Sequence, residues 1–159
     1  MGLDRLDIQI LNLLQEDATI SLRSLAEKVH ASLATCQRRI ARLRADRILL
    51  REVAIVDRDR VGRPLTIFVS VELEKQNDSL LRVFEKKMLA EKDVLACYEV
   101  SGESDFLLIV NSASMESYHA LTRRVFSSHN NVRNFTSNFA MNCSKFETKV
   151  PLDDPSEAD

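Results

Sequence analysis

Five arginines lie within the sixteen residues SLATCQRRIARLRADR, from Ser32 to Arg47. Guanidinium groups bind phosphates, and they pair through two parallel hydrogen bonds with the edge of a guanine base. Apolar residues recur among the arginines at positions 36, 40 and 43, which is the spacing of one helix face. The segment therefore predicts a helix that is held by this face and presents Thr35, Arg38 and Arg42 on the other, with Arg39 at its shoulder.

The charge of the chain is unevenly distributed. The 22 lysines and arginines nearly balance the 24 aspartates and glutamates, for a net charge of −2. Residues 21–51, however, hold eight basic and two acidic residues, whereas the residues from 61 onward hold 11 basic and 15 acidic ones. A basic block in an otherwise acidic chain indicates a surface for a polyanion such as nucleic acid. Composition alone equally allows a solvated, charge-rich helix face.

Other chemistry has little support in the sequence. The three cysteines, Cys36, Cys97 and Cys143, are far apart and form no CxxC pair, which argues against a disulfide framework and against a zinc site. Cys36 lies on the apolar helix face and is predicted to be an inert core residue. The histidines have no metal-ligand spacing, and three glycines leave little material for a phosphate-binding loop. We predict no enzyme, no metal and no cofactor.

No stretch approaches the roughly 20 apolar residues that a membrane-spanning helix needs. The first residues, MGLDRLDIQI, carry acids where a signal peptide has a basic region and an apolar run. A cytoplasmic protein without a membrane partner is the expectation.

The elements that must position the arginines form a first domain over residues 1–56. Apolar spacing predicts a helix from Leu3 to Asp17, and Ser21 and Ser32 are predicted to cap a second and a third helix. Three short helices with a three-residue turn between the last two are typical of a helix-turn-helix. The segment ILLREVAIVD then predicts a short strand or hairpin, the wing, and residues 57–65 are polar and predicted to be a linker.

A second domain is predicted over residues 66–152, with a flexible tail at 153–159. Alternating and helical periodicities give a strand at 66–74, a helix at 78–91, two strands joined by a turn at 102–104, a helix at 115–127 capped by Ser114, and a long last strand at 132–147. This βαββαβ order is the ferredoxin-like arrangement, so the fold class is α+β. Two helices cover one face of such a sheet, and the uncovered face predicts a homodimer.

The two domains together resemble the Lrp/AsnC, or feast/famine, family of transcriptional regulators. The resemblance rests on SLAEKVHASLATCQRRIARLRADRILLREVAIVD followed by VSGESDFLLIV, and it extends from about Leu3 to Leu152. It implies a sequence-specific regulator that reads partly symmetric double-stranded DNA with the helix beginning at Ser32. It also implies dimers that assemble further, with an octamer expected, and an amino acid bound between dimers that alters assembly or DNA binding.

Two sets of site residues are predicted. Helix geometry and the resemblance together give a DNA-binding set of Ser32, Thr35, Arg38, Arg39 and Arg42, to which Arg47 is added for its charge beside the helix. The resemblance implies the effector-binding set, which is Gly102, Glu103, Ser104, Asp105, Thr136 and Ser137. A glycine in the turn lets a ligand approach the backbone N–H groups closely, and an adjacent carboxylate can bind the ammonium group of an amino acid. The nearby aromatic residues Phe106, Phe135 and Phe139 favour leucine or methionine as the effector.

The chain also departs from the family pattern. It has His30 where a glycine is usual, Arg47 and Arg51 near positions that are often glycine, and Phe135 in place of a small hydroxyl residue. Two alternatives therefore stay open. One is an effector-independent, architectural DNA-binding protein of the same family, and the other is an amino-acid-binding α/β domain that does not bind DNA.

Overall fold

The computed structural model describes residues 2–127 and 130–152, and the chain divides into two compact units. The helical unit contains the residues up to Ile55 together with the described residues from Lys145 on, and the sheet unit contains Val56–Ser144. This division differs from the predicted second domain, because residues 145–152 cluster with the N-terminal helices rather than with the sheet. The tail predicted at 153–159 lies outside the described residues.

The helical unit is built from three capped helices. Helix α1 spans Arg5–Glu16, α2 spans Leu22–Lys28 and α3 spans Leu33–Ala45. The hydroxyls of Ser21 and Ser32 accept hydrogen bonds from backbone N–H groups three residues on, each at 3.1 Å, which confirms both predicted caps. Their apolar faces meet in one core, which contains Ile10, Leu11, Leu25, Ala26, Val29, Cys36 and Leu43.

Helices α2 and α3 end in the same way, with a left-handed residue that is not glycine. After α2, His30 has a φ of 52°, and the Ala31 N–H donates to the Ala26 carbonyl at 3.0 Å. After α3, Arg47 has a φ of 56°, and the Ile48 N–H donates to the Leu43 carbonyl at 2.9 Å. Both ends are Schellman motifs, in which glycine is the usual residue at the left-handed position. The glycine expected from the family is thus replaced at backbone positions that favour it.

The predicted wing is absent. Residues 51–57 form neither helix nor strand, and Leu50 and Ile55 are 79% and 65% exposed. The prediction of a strand or hairpin at ILLREVAIVD was therefore wrong for this chain taken alone. A tight hairpin needs a residue such as glycine or asparagine at its turn, and this segment has none.

The sheet unit has the predicted βαββαβ order. Its elements are β1 (Leu65–Leu73), α4 (Asp78–Ala90), β2 (Val94–Glu99), β3 (Phe106–Ser112), α5 (Met115–Val125) and β4 (Val132–Phe139). The four strands form one sheet in the order β2-β3-β1-β4, and the three neighbouring pairs are antiparallel. The ferredoxin-like prediction is confirmed.

The last strand is shorter than the predicted 132–147. It ends at Phe139, which lies opposite Ile67, and the Ala140 N–H adds one more bond to the Thr66 carbonyl at 2.9 Å. Because β1 begins at Leu65, β4 has no partner strand beyond this point. The chain is then free to run to the helical unit, where the Gln15 side chain bonds the Val150 backbone.

The two faces of the sheet differ in burial. One face packs against α4 and α5, and its core includes Ile67, Val69, Val71, Phe84, Met88, Phe106, Leu108, Val110, Tyr118, Leu121 and Val125. On the other face Phe68 is 39% exposed and Tyr98 is 55% exposed. The described residues therefore leave one apolar sheet face without cover, as the element order predicts.

The predicted linker is tied to the sheet at its end. The Arg63 guanidinium bonds the Asp93 carboxylate and the Asn111 side chain, the latter at 3.1 Å. In return the Asn111 amide donates to the carbonyls of Arg63 and Leu65, at 2.9 and 3.0 Å. These bonds fix the point at which β1 begins.

Candidate nucleic-acid interface and candidate ligand site

Helix α3 presents part of the predicted arginine cluster to solvent. Arg38 and Arg47 are exposed, and neither side chain forms an ion pair with another described residue. Ser32 is exposed as well, and its hydroxyl donates to the Thr35 hydroxyl at 2.9 Å, so both hydroxyls lie at the N-terminus of α3. We call Ser32, Thr35, Arg38 and Arg47 the α3 surface. Its hydroxyls and cations are the groups that contact phosphates and base edges.

The other two predicted arginines turn back onto α1. The Arg39 Nη1 group donates to the carboxylates of Asp4 and Asp7, and the Arg42 Nη2 group donates to the second Asp7 oxygen. The Arg39 and Arg42 side chains are 24% and 31% exposed. Placing Arg42 on the face opposite the core was therefore wrong. Helical spacing gives the direction of the Cα–Cβ bond, but a long arginine side chain reaches around the helix to an acid.

Asp4 and Asp7 were missed by the sequence reasoning. They form a capping box at the start of α1, in which the Asp7 N–H donates to the Asp4 carboxylate at 3.0 Å and the Asp4 N–H donates back at 3.1 Å. The hydrogen bond from the Asp7 backbone, followed by the nearby Arg39, lowers the pKa of Asp4. The acids at positions 4 and 7, ahead of an apolar run, were the sequence signal for this capping box. Their pairing with the arginines of α3 could not be predicted from the local sequence, because those arginines lie more than 30 residues away.

The turn between β2 and β3 holds most of the predicted effector residues. Gly102 has a φ of 133°, a conformation that L residues rarely adopt, although a side chain there would meet open space. Glu103 is exposed and Ser104 is half-buried. The Asp105 carboxylate accepts a hydrogen bond from the Leu73 N–H at 2.7 Å, so one of its oxygens is already engaged in holding the turn to β1.

The remaining two effector residues face opposite sides of the sheet. Thr136 is exposed and lies across from Ser70, whereas the Ser137 hydroxyl bonds the Tyr118 hydroxyl on the helix-covered side. Strand geometry puts Thr136 about 12 Å from Asp105, because the two positions are separated by two strand spacings across the sheet and by two residues along the strand direction. The chain by itself thus does not bring the predicted effector residues together.

The aromatic residues near these positions belong to the packed side of the sheet unit. Phe106 is fully buried and stacks on Phe84, with ring centroids 4.7 Å apart. Phe135 packs against Phe126 at 4.8 Å. Neither side chain lines the turn at 102–105 with an open apolar surface, and Phe139 packs edge-on against Tyr118 at 5.5 Å. Phe106 and Phe135 therefore give no support to the preference for leucine or methionine.

The described part of the chain has no group of three or more His, Cys, Asp or Glu side chains that could hold a metal ion. Cys36 is fully buried in the helical core, as predicted, and burial raises the pKa of its thiol. Burial also raises the pKa of Cys97 to about 11, so both thiols stay protonated and unreactive near neutral pH. No helix within the described residues is both long enough and apolar enough to cross a membrane.

Comparison with known proteins gives consistent matches over both units. Residues 3–44 match the AsnC-type helix-turn-helix domain, and residues 66–150 match the Lrp/AsnC ligand binding domain. An HTH-type transcriptional regulator of Haemophilus influenzae is 46% identical over 94% of this chain and 89% of its own length.

Two solved structures share the fold. An AsnC family transcriptional regulator from Agrobacterium tumefaciens superposes with a TM-score of 0.88 at 35% identity, covering 94% of this chain and 97% of the other. A transcriptional regulator from Neisseria meningitidis in complex with L-methionine has a TM-score of 0.88 at 28% identity, covering 95% and 97%.

Proposed function

Because this chain belongs to the Lrp/AsnC family of DNA-binding transcriptional regulators, which are not enzymes, we propose that α3 enters the major groove of a specific operator. In this proposal the residues of the α3 surface make the contacts. Arg38 binds a base edge or a phosphate, Ser32 and Thr35 bind the backbone beside the helix N-terminus, and Arg47 binds a phosphate beyond the helix end.

The observation that supports this proposal is that the arginines of α3 and its end differ in whether they are paired with an acid. Arg38 and Arg47 are exposed and have no acidic partner among the described side chains, so their charge is available to a polyanion. Arg44 is paired with Glu52 at 2.7 Å, and Arg39 and Arg42 are paired with acids of α1. We therefore leave Arg39 and Arg42 out of the proposed DNA contacts.

The proposed assembly is a homodimer formed through the open sheet face, with an octamer as the further assembly that the family resemblance implies. Phe68 and Tyr98 on this face, and the exposed apolar residues of the segment at 50–56, support a second copy as the missing cover. Two copies related by twofold symmetry would read the two halves of a partly symmetric operator. A DNA-binding regulator of this kind is proposed to work in the cytoplasm.

The proposed effector is a free amino acid, with methionine ahead of leucine. A ligand-binding domain spans residues 66–150, and a relative of the same fold was solved with L-methionine. The turn at 102–105 of one copy and Thr136 of another would share the ligand, because one chain keeps these residues about 12 Å apart. Ligand binding would shift the equilibrium between assembly states, and about 1 to 3 kcal/mol of coupling changes operator occupancy 5- to 150-fold.

DNA recognition is tested with Arg38→Ala and the matched control Arg82→Ala, an exposed arginine of α4. We expect Arg38→Ala to weaken binding to the selected operator by about 1 to 3 kcal/mol and binding to random DNA by less. Arg82→Ala should bind as the unmodified protein does. Unchanged operator binding by Arg38→Ala, measured by fluorescence anisotropy at several salt concentrations, would refute the proposed reading mode.

Effector binding is tested by a thermal-shift screen against all twenty amino acids, with Asp105→Asn as the paired variant. A ligand at 100 times its Kd stabilises the protein by about 2.7 kcal/mol, which raises the melting temperature by about 5 to 10 °C. We expect a shift with methionine that Asp105→Asn reduces. The absence of any shift would favour the effector-independent DNA-binding protein, a reading that the engaged Asp105 carboxylate supports.

A further inference from the structure

Among the described residues of the helical unit, Asp7 has the charged group that is best shielded from solvent. Its side chain is 0% exposed, although it lies only one turn into α1. Three donors surround it: Arg39 donates to Oδ1 at 3.2 Å, and the Asp4 N–H, at 3.1 Å, and Arg42 both donate to Oδ2. Two of these donors come from α3, more than 30 residues away in sequence.

The position of this carboxylate ties α3 to α1 by charge as well as by apolar packing. A buried carboxylate is costly unless it is paired and hydrogen-bonded, and Asp7 has both kinds of partner. Arg39 and Arg42 are three residues apart on the same side of α3, so they would repel each other without the acid between them. The Nε group of Arg42 is buried and has no hydrogen-bond partner among the described residues, which shows how closely this side chain sits against the protein.

We propose that Asp7 is a positioning residue for DNA recognition, and that Arg39 and Arg42 are its counter-ions rather than readers of DNA. This inference rests on the proposed function of α3. Asp4, Asp7, Arg39 and Arg42 form a cluster of zero net charge, so the cluster neutralises no phosphate and displaces no counterions from the DNA. Its role is to fix the direction in which α3 presents Arg38 to the groove, and thus to set discrimination between sequences.

The first test is the stability of Asp7→Asn without DNA. Asparagine keeps the size of the side chain and an acceptor for the Asp4 N–H, but it leaves Arg42 without a counter-charge and Arg39 with Asp4 alone. Urea unfolding followed by circular dichroism should show a folding equilibrium constant about 100-fold lower than that of the unmodified protein. The control is Glu27→Gln, which removes an exposed ion pair with Arg23 on α2 and should change the constant less than about threefold.

The second test separates positioning from stability alone. With Asp7→Asn kept folded at low temperature, we expect binding to random DNA to become tighter, because the surface gains positive charge. Discrimination between operator and random DNA should fall at least tenfold, because α3 loses its fixed direction. A purely structural role would leave this ratio unchanged in the folded protein, and an unchanged ratio would overturn the inference.

The third test uses milder variants in case Asp7→Asn does not fold. Arg38→Gln should reduce the slope of log affinity against log salt by about 0.9, as expected for one lost phosphate contact, or should reduce operator discrimination. Arg39→Gln should leave that slope unchanged while lowering discrimination. A reduced slope for Arg39→Gln with unchanged stability would make Arg39 a phosphate contact and refute the inference alone. No effect of Arg38→Gln on either quantity would instead refute the proposed function.

Discussion

Replacing Arg47 by glycine is expected to stabilise the helical unit and to weaken its binding to DNA. Arg47 follows α3 in the left-handed conformation, with a φ of 56°, and its N–H donates to the Arg44 carbonyl at 3.1 Å. The next residue, Ile48, closes the Schellman motif with its own bond to Leu43 at 2.9 Å. Glycine makes both backbone bonds without the steric cost that a Cβ atom imposes there.

The size of the stability gain follows from two opposing terms. A left-handed conformation costs a residue with a side chain about 1 to 2 kcal/mol. Glycine removes this cost but loses about 0.5 to 1 kcal/mol more conformational entropy when the chain folds. The net gain is therefore about 0.5 to 1 kcal/mol, which corresponds to a rise in melting temperature of about 2 °C for a chain of this length.

The DNA-binding loss has a different cause and a different readout. One lost phosphate contact lowers the salt slope by about 0.9, so the affinity lost between about 50 and 200 mM salt becomes about 3.5-fold smaller. Arg47→Ala is the control, because it removes the charge but keeps the Cβ atom. It should bind DNA as weakly as the glycine variant does without the gain in stability.

Both effects are measured on the unmodified protein, Arg47→Gly and Arg47→Ala, stability by thermal unfolding and DNA binding by fluorescence anisotropy at several salt concentrations. Equal melting temperatures for the glycine and alanine variants would show that the left-handed conformation costs no more than the extra conformational entropy that glycine loses on folding, and would refute the predicted gain. An unchanged salt slope in both variants would show that Arg47 makes no phosphate contact, and the arginine at this position would then have no explanation in the structure.

Three further perturbations test other parts of the fold. His30→Gly should raise stability by about 0.5 to 1 kcal/mol, since His30 occupies the equivalent left-handed position after α2, and a lower melting temperature would contradict this. Gln15→Ala should lower stability by about 1 kcal/mol in urea unfolding, because the Gln15 amide exchanges hydrogen bonds of 2.7 and 3.1 Å with the Val150 backbone. Asn142→Ala is the control. Equal losses of stability in the two variants would argue against docking of the C-terminal segment. Hydrogen bonds from Arg124 lower the pKa of Glu91 in the folded protein. The stability that this pair contributes is therefore fully present above the unfolded pKa of about 4.3, and it is lost as the pH falls through the lower folded pKa. Glu91→Gln should therefore melt below the unmodified protein at pH 7 and approach it toward pH 3, whereas a constant difference would argue against this pair.

Short-range patterns in the sequence predicted most of the architecture. Ser21, Ser32 and Ser114 were identified as helix caps because a cap depends on a side chain and a backbone N–H three residues apart. The order βαββαβ followed from the change between two-residue and helical periodicity. The left-handed backbone at His30 was consistent with the family resemblance, which implies glycine at this position, whereas the left-handed backbone at Arg47 was not predicted.

Other predictions failed where a partner strand or a charge lay far away in the sequence. β4 ends at Phe139 because β1 supplies no further partner. The hairpin predicted at 48–57 failed for a local reason instead, because this segment has no turn residue. Thr136 and Ser137 point in opposite directions because successive side chains of a strand lie on opposite faces of the sheet. Only the ladder with β1 and the contact with Tyr118 decided which of the two faces the helices.

The sequence by itself determined that a basic, capped helix would be held by one apolar face, because helix periodicity and caps are local properties. It could not determine which of the arginines are free. That choice depends on Asp7, which the fold brings from α1 to the side of α3 and shields completely from water. Since a buried carboxylate must find counter-charges, Arg39 and Arg42 are held against α1, whereas Arg38 and Arg47 stay exposed.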